Sequence, residues 1–189
     1  NIDEANDIKC YEDWAGLAAI LNRGYDAIKE VSPESQVIIH LAEGSRESVF
    51  DWFLKDYEAA GGKYDVIGAS YYPWWSGNTV ETAVEFCNNI SARYDKDIII
   101  METGYNWTPL RKDGYAGQLS SVDSETGEIY GTIDAYKDIY PATKEGHKGF
   151  MAELFNGLKN VEGGRCIGDI YWDPVMIHVE DENGHNITG

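Results

Sequence analysis

Cysteine is scarce in this chain of 189 residues, and its three thiols, Cys10, Cys87 and Cys166, stand far apart in the sequence. Structural zinc sites draw their ligands from closely spaced pairs of residues, so this spacing argues against a thiolate metal site. We therefore predict no cofactor and no metal. Cys87 and Cys166 lie in apolar stretches, which predicts that both belong to the core.

Long apolar runs and basic residues are also lacking. No stretch approaches the roughly 20 apolar residues that cross a bilayer as a helix, so we predict no membrane span. Acidic residues outnumber basic ones by 33 to 15, and the formal net charge is −18. Such a field repels phosphate backbones, which makes nucleic acid an unsuitable partner. The negative charge neither attracts nor repels a neutral ligand such as a sugar polymer.

What the chain does contain is an alternation of amphipathic helices and short apolar strands. Helical periodicity covers about 12–31, 46–60, 79–94 and 143–161, and β-rich runs cover 37–41, 66–70, 98–101 and 166–171. This alternation predicts an α/β fold with a parallel sheet covered by helices. The exception is the long loop at about 103–142, which is either a lid or binding loop or a disordered insertion.

Aromatic and ionisable residues collect where the predicted strands end. Ligands of parallel α/β folds bind at the carboxyl ends of the strands. Aromatic rings stack on the apolar faces of sugars, while carboxylates, imidazole and tyrosine hydroxyls bind the sugar hydroxyls. The candidates for binding a carbohydrate are His40, Tyr71, Tyr72, Trp74, Trp75, Tyr105, Trp107, Trp172 and Asp173. The alternatives are that the rings cap the hydrophobic layers, that His40 is a satisfied core histidine, and that Asp173 starts a turn with Pro174.

Glu102 is the most informative single residue. It directly follows four large apolar residues, 98–101, and a carboxylate at the mouth of a sheet is costly unless a function or a partner compensates. Retaining glycosidases need one carboxylate as nucleophile and a second carboxyl group as acid/base, about 5 Å apart. Glu102 suits the nucleophile. The alternative is a structural ion pair with a nearby Arg or Lys.

Four motifs together resemble glycoside hydrolase family 53, the endo-β-1,4-galactanases of type I arabinogalactan: DVIGASYYPWWSG, IIIMETGYNWT, YPATKEGHKGF and IGDIYWDPVMI. The resemblance implies a (β/α)₈ barrel, of which residues 1–189 would supply the C-terminal half, about strands five to eight with their covering helices. It also implies retaining hydrolysis of β-1,4-galactan with Glu102 as nucleophile. His40, Tyr71 to Trp75 and Trp172 would line the sugar subsites. Secretion to the cell exterior or periplasm is implied by the family alone.

Two departures from the family pattern qualify these expectations. The family usually has Trp-Glu-Pro-Ala-Trp where this chain has Trp172-Asp173-Pro174-Val175-Met176, which puts galactan specificity in question. The Asn-Glu dipeptide that carries the family's acid/base is absent. We therefore expect a half-barrel fragment without meaningful activity of its own, which pairs with a missing N-terminal half or with itself. The alternatives are a clan-related barrel glycosidase of β-galactosidase or mannanase type and a non-catalytic carbohydrate-binding protein.

Overall fold

Four parallel strands form the central sheet of this protein, which a computed structural model describes for residues 13–109, 121–122, 127, 129–130 and 132–172. In chain order the elements are α1 (Trp14–Val31), β1 (Ile38–Leu41), α2 (Glu47–Ala59), β2 (Val66–Tyr71), α3 (Pro73–Ser76), α4 (Val80–Tyr94), β3 (Asp97–Thr103), β4 (Ser121–Val122), β5 (Ile129–Tyr130), α5 (Lys144–Lys159), a 3₁₀ turn (Glu162–Gly164) and β6 (Cys166–Tyr171). The sheet has the order β1-β2-β3-β6, and every pairing in it is parallel. The predicted α/β alternation is confirmed. The short strands β4 and β5 pair with each other in a separate antiparallel hairpin.

Short polar side chains set the starts of three helices. Asp13 accepts a hydrogen bond from the Gly16 amide at 2.8 Å, and Thr143 accepts one from the Gly146 amide at 3.0 Å. Thr79 occupies the same position before α4. Such caps satisfy amides that have no partner within the helix. Ser45 is a candidate cap for α2 by residue type, but it does not cap the helix, because it has a left-handed backbone (φ 73°) and the cap position falls on Arg46.

The hydrophobic core lies between the sheet and the helices, on one face of the sheet. Alternate residues of β2 and β3 point into it, among them Ile67, Ala69, Ile98 and Ile100. The helices cover these strands with the buried side chains Phe50, Leu54, Phe86, Ile90, Phe150 and Leu154. Cys87 is fully buried and Cys166 packs partly buried against the same core, which confirms their predicted location.

The end of the long loop after β3 is part of the core. Tyr136 is almost fully buried, and its hydroxyl accepts a hydrogen bond from the Val80 amide at 2.7 Å. The Tyr105 hydroxyl donates to the Tyr140 carbonyl at 2.6 Å. These bonds satisfy the first amide of α4 and tie the loop down just before α5 begins.

Asp169 is a carboxylate on the helix side of the sheet. It pairs in register with Ile100, which faces the helices, and its Oδ2 atom has no hydrogen-bond partner among the described residues. Burial raises the pKa of Asp169 to about 6. The folded state therefore holds this proton more tightly than the unfolded chain does, so the stability of the fold increases as the pH falls from about 6 towards 4.

We predict that Asp169→Asn raises the free energy of unfolding at pH 7.5 by about 1 kcal/mol, a figure reduced to allow for the partial exposure of this carboxyl. The gain should disappear at pH 4, where the wild-type carboxyl is protonated as well. Urea denaturation at both pH values measures it. Asp138→Asn, at an exposed position, is the matched control and should change little. A variant that is less stable than wild type at pH 7.5 would contradict the prediction.

Candidate active site

The face of the sheet opposite the helices carries the candidate site and is called here the site face. Period-two alternation places Ile38, His40, Gly68 and Ser70 on it, and the Met101 side chain lies over Gly68 on the same face. A Cβ atom added to Gly68 would lie 2.7 Å from the Met101 side chain and 3.2 Å from His40 Cβ. Glycine at this position therefore allows the side chains of the two flanking strands to approach each other across β2.

A β-bulge in β3 directs Glu102 to the site face. Ala69 pairs with Ile100 and the next residue, Ser70, pairs with Glu102, so Met101 is the extra residue. Without this extra residue, strict alternation would give Glu102 the same side as Ile98 and Ile100, towards the helices. Bulges commonly re-aim a side chain in this way near functional sites. Glu102 therefore lies near the carboxyl end of its strand, and its side chain points towards the site face.

Tyr72 is the neighbour of Glu102 in this arrangement. Its hydroxyl donates a long hydrogen bond of 3.4 Å to Glu102 Oε2. Burial raises the pKa of Tyr72, and the nearby Glu102 carboxylate raises it further. The phenol therefore stays protonated at ordinary pH and remains a donor to the carboxylate. Tyr72 thus lies beside Glu102, the predicted nucleophile.

The two adjacent tryptophans lie on α3, a single helical turn that the sequence analysis did not predict. Tyr72 precedes this helix, Pro73 occupies its first turn, and Gly77 ends it with a left-handed backbone. Trp75 is 63% exposed, and its ring lies 5.6 Å from that of Tyr72. Trp74 packs edge-on against Trp75, and its indole nitrogen is buried without a hydrogen-bond partner among the described residues. Trp75 therefore offers its ring to a ligand, whereas Trp74 supports it.

Trp172 lies at the end of β6, beside the end of β3. Its amide donates to the Thr103 carbonyl at 2.7 Å, and its side chain is 61% exposed. Gly104 permits this approach, since a Cβ atom there would come within 3.0 Å of the Trp172 carbonyl oxygen and 3.2 Å of the Tyr72 ring. Tyr72 and Trp172 thus flank the same glycine, one residue beyond the strand that carries Glu102.

Tyr71 and Tyr105 do not line the site face, which corrects their prediction as sugar-binding residues. Tyr71 is fully buried on the helix side, and its hydroxyl donates to the Asn78 carbonyl at 2.9 Å. Tyr105 is also buried, and its ring stacks on Phe150 of α5 with 4.1 Å between centroids. Alternation along β2 explains the first case, because Tyr71 follows Ile67 and Ala69 on the core side.

Trp107 and Asp173 are the two remaining aromatic and acidic candidates. Trp107 lies beside α5, where Lys144 Nζ stands 6.0 Å from the ring centroid. There it borders a groove of about 660 Å³ along that helix. Its described neighbours are therefore on α5. Asp173 lies outside the described residues.

His40 is exposed on β1, and its Nε2 atom lies 2.8 Å from Ser70 Oγ. The sequence analysis named His40 but missed Ser70. Alternation from Ile67 would have placed Ser70 and Tyr72 together on the face opposite Tyr71. The signal that could have found Ser70 was therefore present in the stretch that carries both tyrosines.

Two general features of the described residues bear on function. No group of three or more His, Cys, Asp or Glu side chains in this part of the chain is arranged to hold a metal ion. Among the helices described, none combines the length and the apolar character needed to cross a bilayer.

Comparison with known proteins gives a consistent family match. The model of glycosyl hydrolase family 53 matches residues 2–189. A relative named "Uncharacterized protein in bgaB 5'region", from Niallia circulans, is 32% identical over 171 residues, which are 90% of this chain and 43% of the relative. The arabinogalactan endo-beta-1,4-galactanase of Cellvibrio japonicus is 30% identical over 87% of this chain and 40% of its own length.

Solved structures show the same relation at the level of the fold. The GH53 catalytic domain of Ignisphaera aggregans aligns with a TM-score of 0.69 and 28% identity, over 85% of this chain and 41% of that domain. One of two fungal beta-1,4-galactanases aligns with the same TM-score at 23% identity, over 93% of this chain and 48% of its own. The chain thus spans less than half the length of these relatives, and its four-stranded sheet with helices is part of a TIM barrel.

Proposed function

This chain belongs to glycosyl hydrolase family 53, and from that premise we propose that it carries the nucleophile half of a retaining endo-β-1,4-galactanase acting on the β-1,4-galactan of type I arabinogalactan. The observation that carries this proposal is the bulge in β3, which turns Glu102 onto the site face next to the Tyr72 hydroxyl. The exposed rings of Trp75 and Trp172 belong to the same end of the sheet. The names of the galactanase relatives support the choice of galactan.

The proposed chemistry follows from this geometry. A carboxylate oxygen of Glu102 attacks the anomeric carbon, the bond to the leaving sugar breaks, and a glycosyl ester on Glu102 results. The Tyr72 hydroxyl orients the carboxylate by hydrogen bonding. The leaving oxygen must receive a proton from a second carboxyl group, which later activates the water that hydrolyses the ester.

We propose that this second carboxyl group is supplied from outside the 189 residues. The sequence contains no Asn-Glu dipeptide, which the family resemblance identifies as the acid/base motif. The two outer strands of the described sheet, β1 and β6, each have one edge without a strand partner in that sheet, and unpaired edges favour association. The rest of a barrel or a second copy of this chain would cover them. The molar mass in solution, measured by light scattering, distinguishes a lone chain from a pair.

Galactan binding by this chain tests the proposal without requiring turnover. We expect β-1,4-galactotetraose to bind, with Trp75→Ala and Trp172→Ala each weakening the affinity about tenfold, since each removes an exposed stacking ring. Isothermal titration calorimetry measures the affinities. Trp52→Phe is the matched control, because Trp52 is half exposed but lies on α2, packed against Trp14.

Two outcomes of the same titrations would contradict the proposal. Equal affinity for β-1,4-mannotetraose would favour a different barrel glycosidase of the same clan. Equal losses for the Trp52 and Trp172 variants would show that the site-face rings do not contact the sugar.

A further inference from the structure

A single hydrogen bond joins His40 of β1 to a buried hydroxyl of β2. His40 Nε2 lies 2.8 Å from Ser70 Oγ. Ser70 is only 5% exposed, while His40 is exposed. A hydroxyl fixed on a central strand and shielded from water holds its partner in a more constant direction than water would. Ser70 is therefore placed to control the orientation of the His40 ring.

The strand register explains how the imidazole reaches Ser70. His40 pairs directly with Gly68, and Ser70 is two residues further along β2, so it is the diagonal neighbour of His40 on the site face. Gly68 offers no side chain that would block the ring, and a Cβ atom there would already lie 3.2 Å from His40 Cβ. The contact thus depends on glycine at the directly opposite position.

The same register links Ser70 to the reacting carboxylate. Ser70 pairs with Glu102 across β2 and β3, so His40, Ser70 and Glu102 lie on three adjacent strands of one face. With Nε2 bound to Ser70, the remaining ring nitrogen is Nδ1, which makes no hydrogen bond to any described residue. A serine hydroxyl can either donate or accept, so this contact fixes the direction of the ring for either tautomer.

We propose that Ser70 is a positioning residue. It holds the His40 imidazole in one orientation, so that Nδ1 hydrogen-bonds a hydroxyl of the galactosyl unit that Glu102 attacks. This inference deepens the proposed function and rests on it. Ser70 acts through His40 and does not itself touch the sugar.

Nuclear magnetic resonance of ¹⁵N-labelled histidine tests the positioning directly. We expect the Nε2 resonance of His40 in the wild-type chain to have the chemical shift of a nitrogen hydrogen-bonded to the protein, and Ser70→Ala to move it towards that of an imidazole in water. Ser70→Thr keeps a hydroxyl and should keep the wild-type shift. Ser91→Ala, at an equally buried serine on α4, is the control for general loosening and should leave His40 unchanged. An unaltered His40 spectrum in Ser70→Ala would overturn the proposal.

Sugar affinity then tests whether Ser70 acts through His40. We expect Ser70→Ala to weaken β-1,4-galactotetraose binding about fivefold, the usual order for one hydrogen bond. In a His40→Ala background the same change should have no further effect, since its target ring is gone. Additive losses in the double variant would overturn the positioning role.

The two measurements separate failure of this inference from failure of the proposed function. If galactotetraose does not bind the wild-type chain, the galactan proposal fails, and the sugar contact of Nδ1 fails with it. The Nε2 resonance of His40 still decides whether Ser70 orients the ring. If galactotetraose binds and that resonance is unaffected by Ser70→Ala, only the positioning role is lost.

Discussion

A 2,4-dinitrophenyl 2-deoxy-2-fluoro-β-galactobioside will leave a covalent galactobiosyl ester on Glu102 of the 189-residue chain, whereas the same chain will release no reducing sugar from β-1,4-galactan. The difference lies in the leaving group. Dinitrophenolate is a weak base that departs without a proton, so attack by Glu102 suffices to break the bond at the anomeric carbon. A sugar leaving group needs protonation by the acid/base carboxyl, which we propose this chain lacks.

Intact-protein mass spectrometry followed by peptide mapping locates the ester, and dinitrophenolate absorbance gives the labelling rate. Glu102→Gln should lower that rate at least about 10³-fold, because the amide is not a competent nucleophile. Glu81→Gln, on α4 away from the site face, is the control and should label like wild type. Labelling of another residue at an undiminished rate in Glu102→Gln would contradict the assignment. Reducing sugar released from galactan by the chain alone would contradict the missing acid/base.

Phe150→Ala will lower the free energy of unfolding by about 3–5 kcal/mol, the usual loss for a fully buried phenylalanine. Phe150 has no exposed surface, and its ring contacts those of Tyr71, Tyr105, Tyr136 and Tyr140. These contacts join α5, the end of β2 and the loop after β3. A loss of this size is a large part of the stability of a typical domain, so much of the variant should unfold under mild conditions.

Urea denaturation followed by circular dichroism measures the effect of Phe150→Ala. Phe155→Ala removes the same side chain from the same helix, but at a position 45% exposed. It should therefore cost about 1 kcal/mol or less. Equal destabilisation by the two variants would show that the aromatic cluster around Phe150 does not anchor the loop. The comparison also bears on Tyr105, whose stacking on Phe150 makes it a core residue.

The strand and helix assignments were predictable because their signals are local. The apolar run 98–101 and the helical spacing in 79–94 can form only a narrow range of structures, and both lie where they were predicted. The cap at Thr143 is equally local, since its side chain accepts from the amide three residues later. The α3 turn was missed because its four residues, Pro73–Ser76, are too few for a period to be visible, and only its proline and the following glycine mark its ends.

The orientations of the site residues were predictable from the sequence in some cases and not in others. Tyr71 and Tyr72 are neighbours in sequence and of the same residue type, yet one is buried against the helices and the other donates to Glu102. Alternation could have separated them, because β2 is regular up to Tyr71. Tyr105 and Trp107 lie beyond the end of β3, where no period applies. Their contacts with α5 depend on how the loop returns to the core.

The sequence by itself determined that this chain is an α/β protein with a parallel sheet, that Glu102 and several rings lie at the carboxyl ends of its strands, and that its motifs are those of a galactanase family. These properties follow from hydrophobic periodicity and residue chemistry, which act over a few residues. Only the tertiary structure decided the orientation of Glu102 and the contact between His40 and Ser70. The bulge at Met101 turns Glu102 to the site face, and Gly68 lets His40 reach Ser70. Both arrangements depend on the register between neighbouring strands, so local sequence does not determine them.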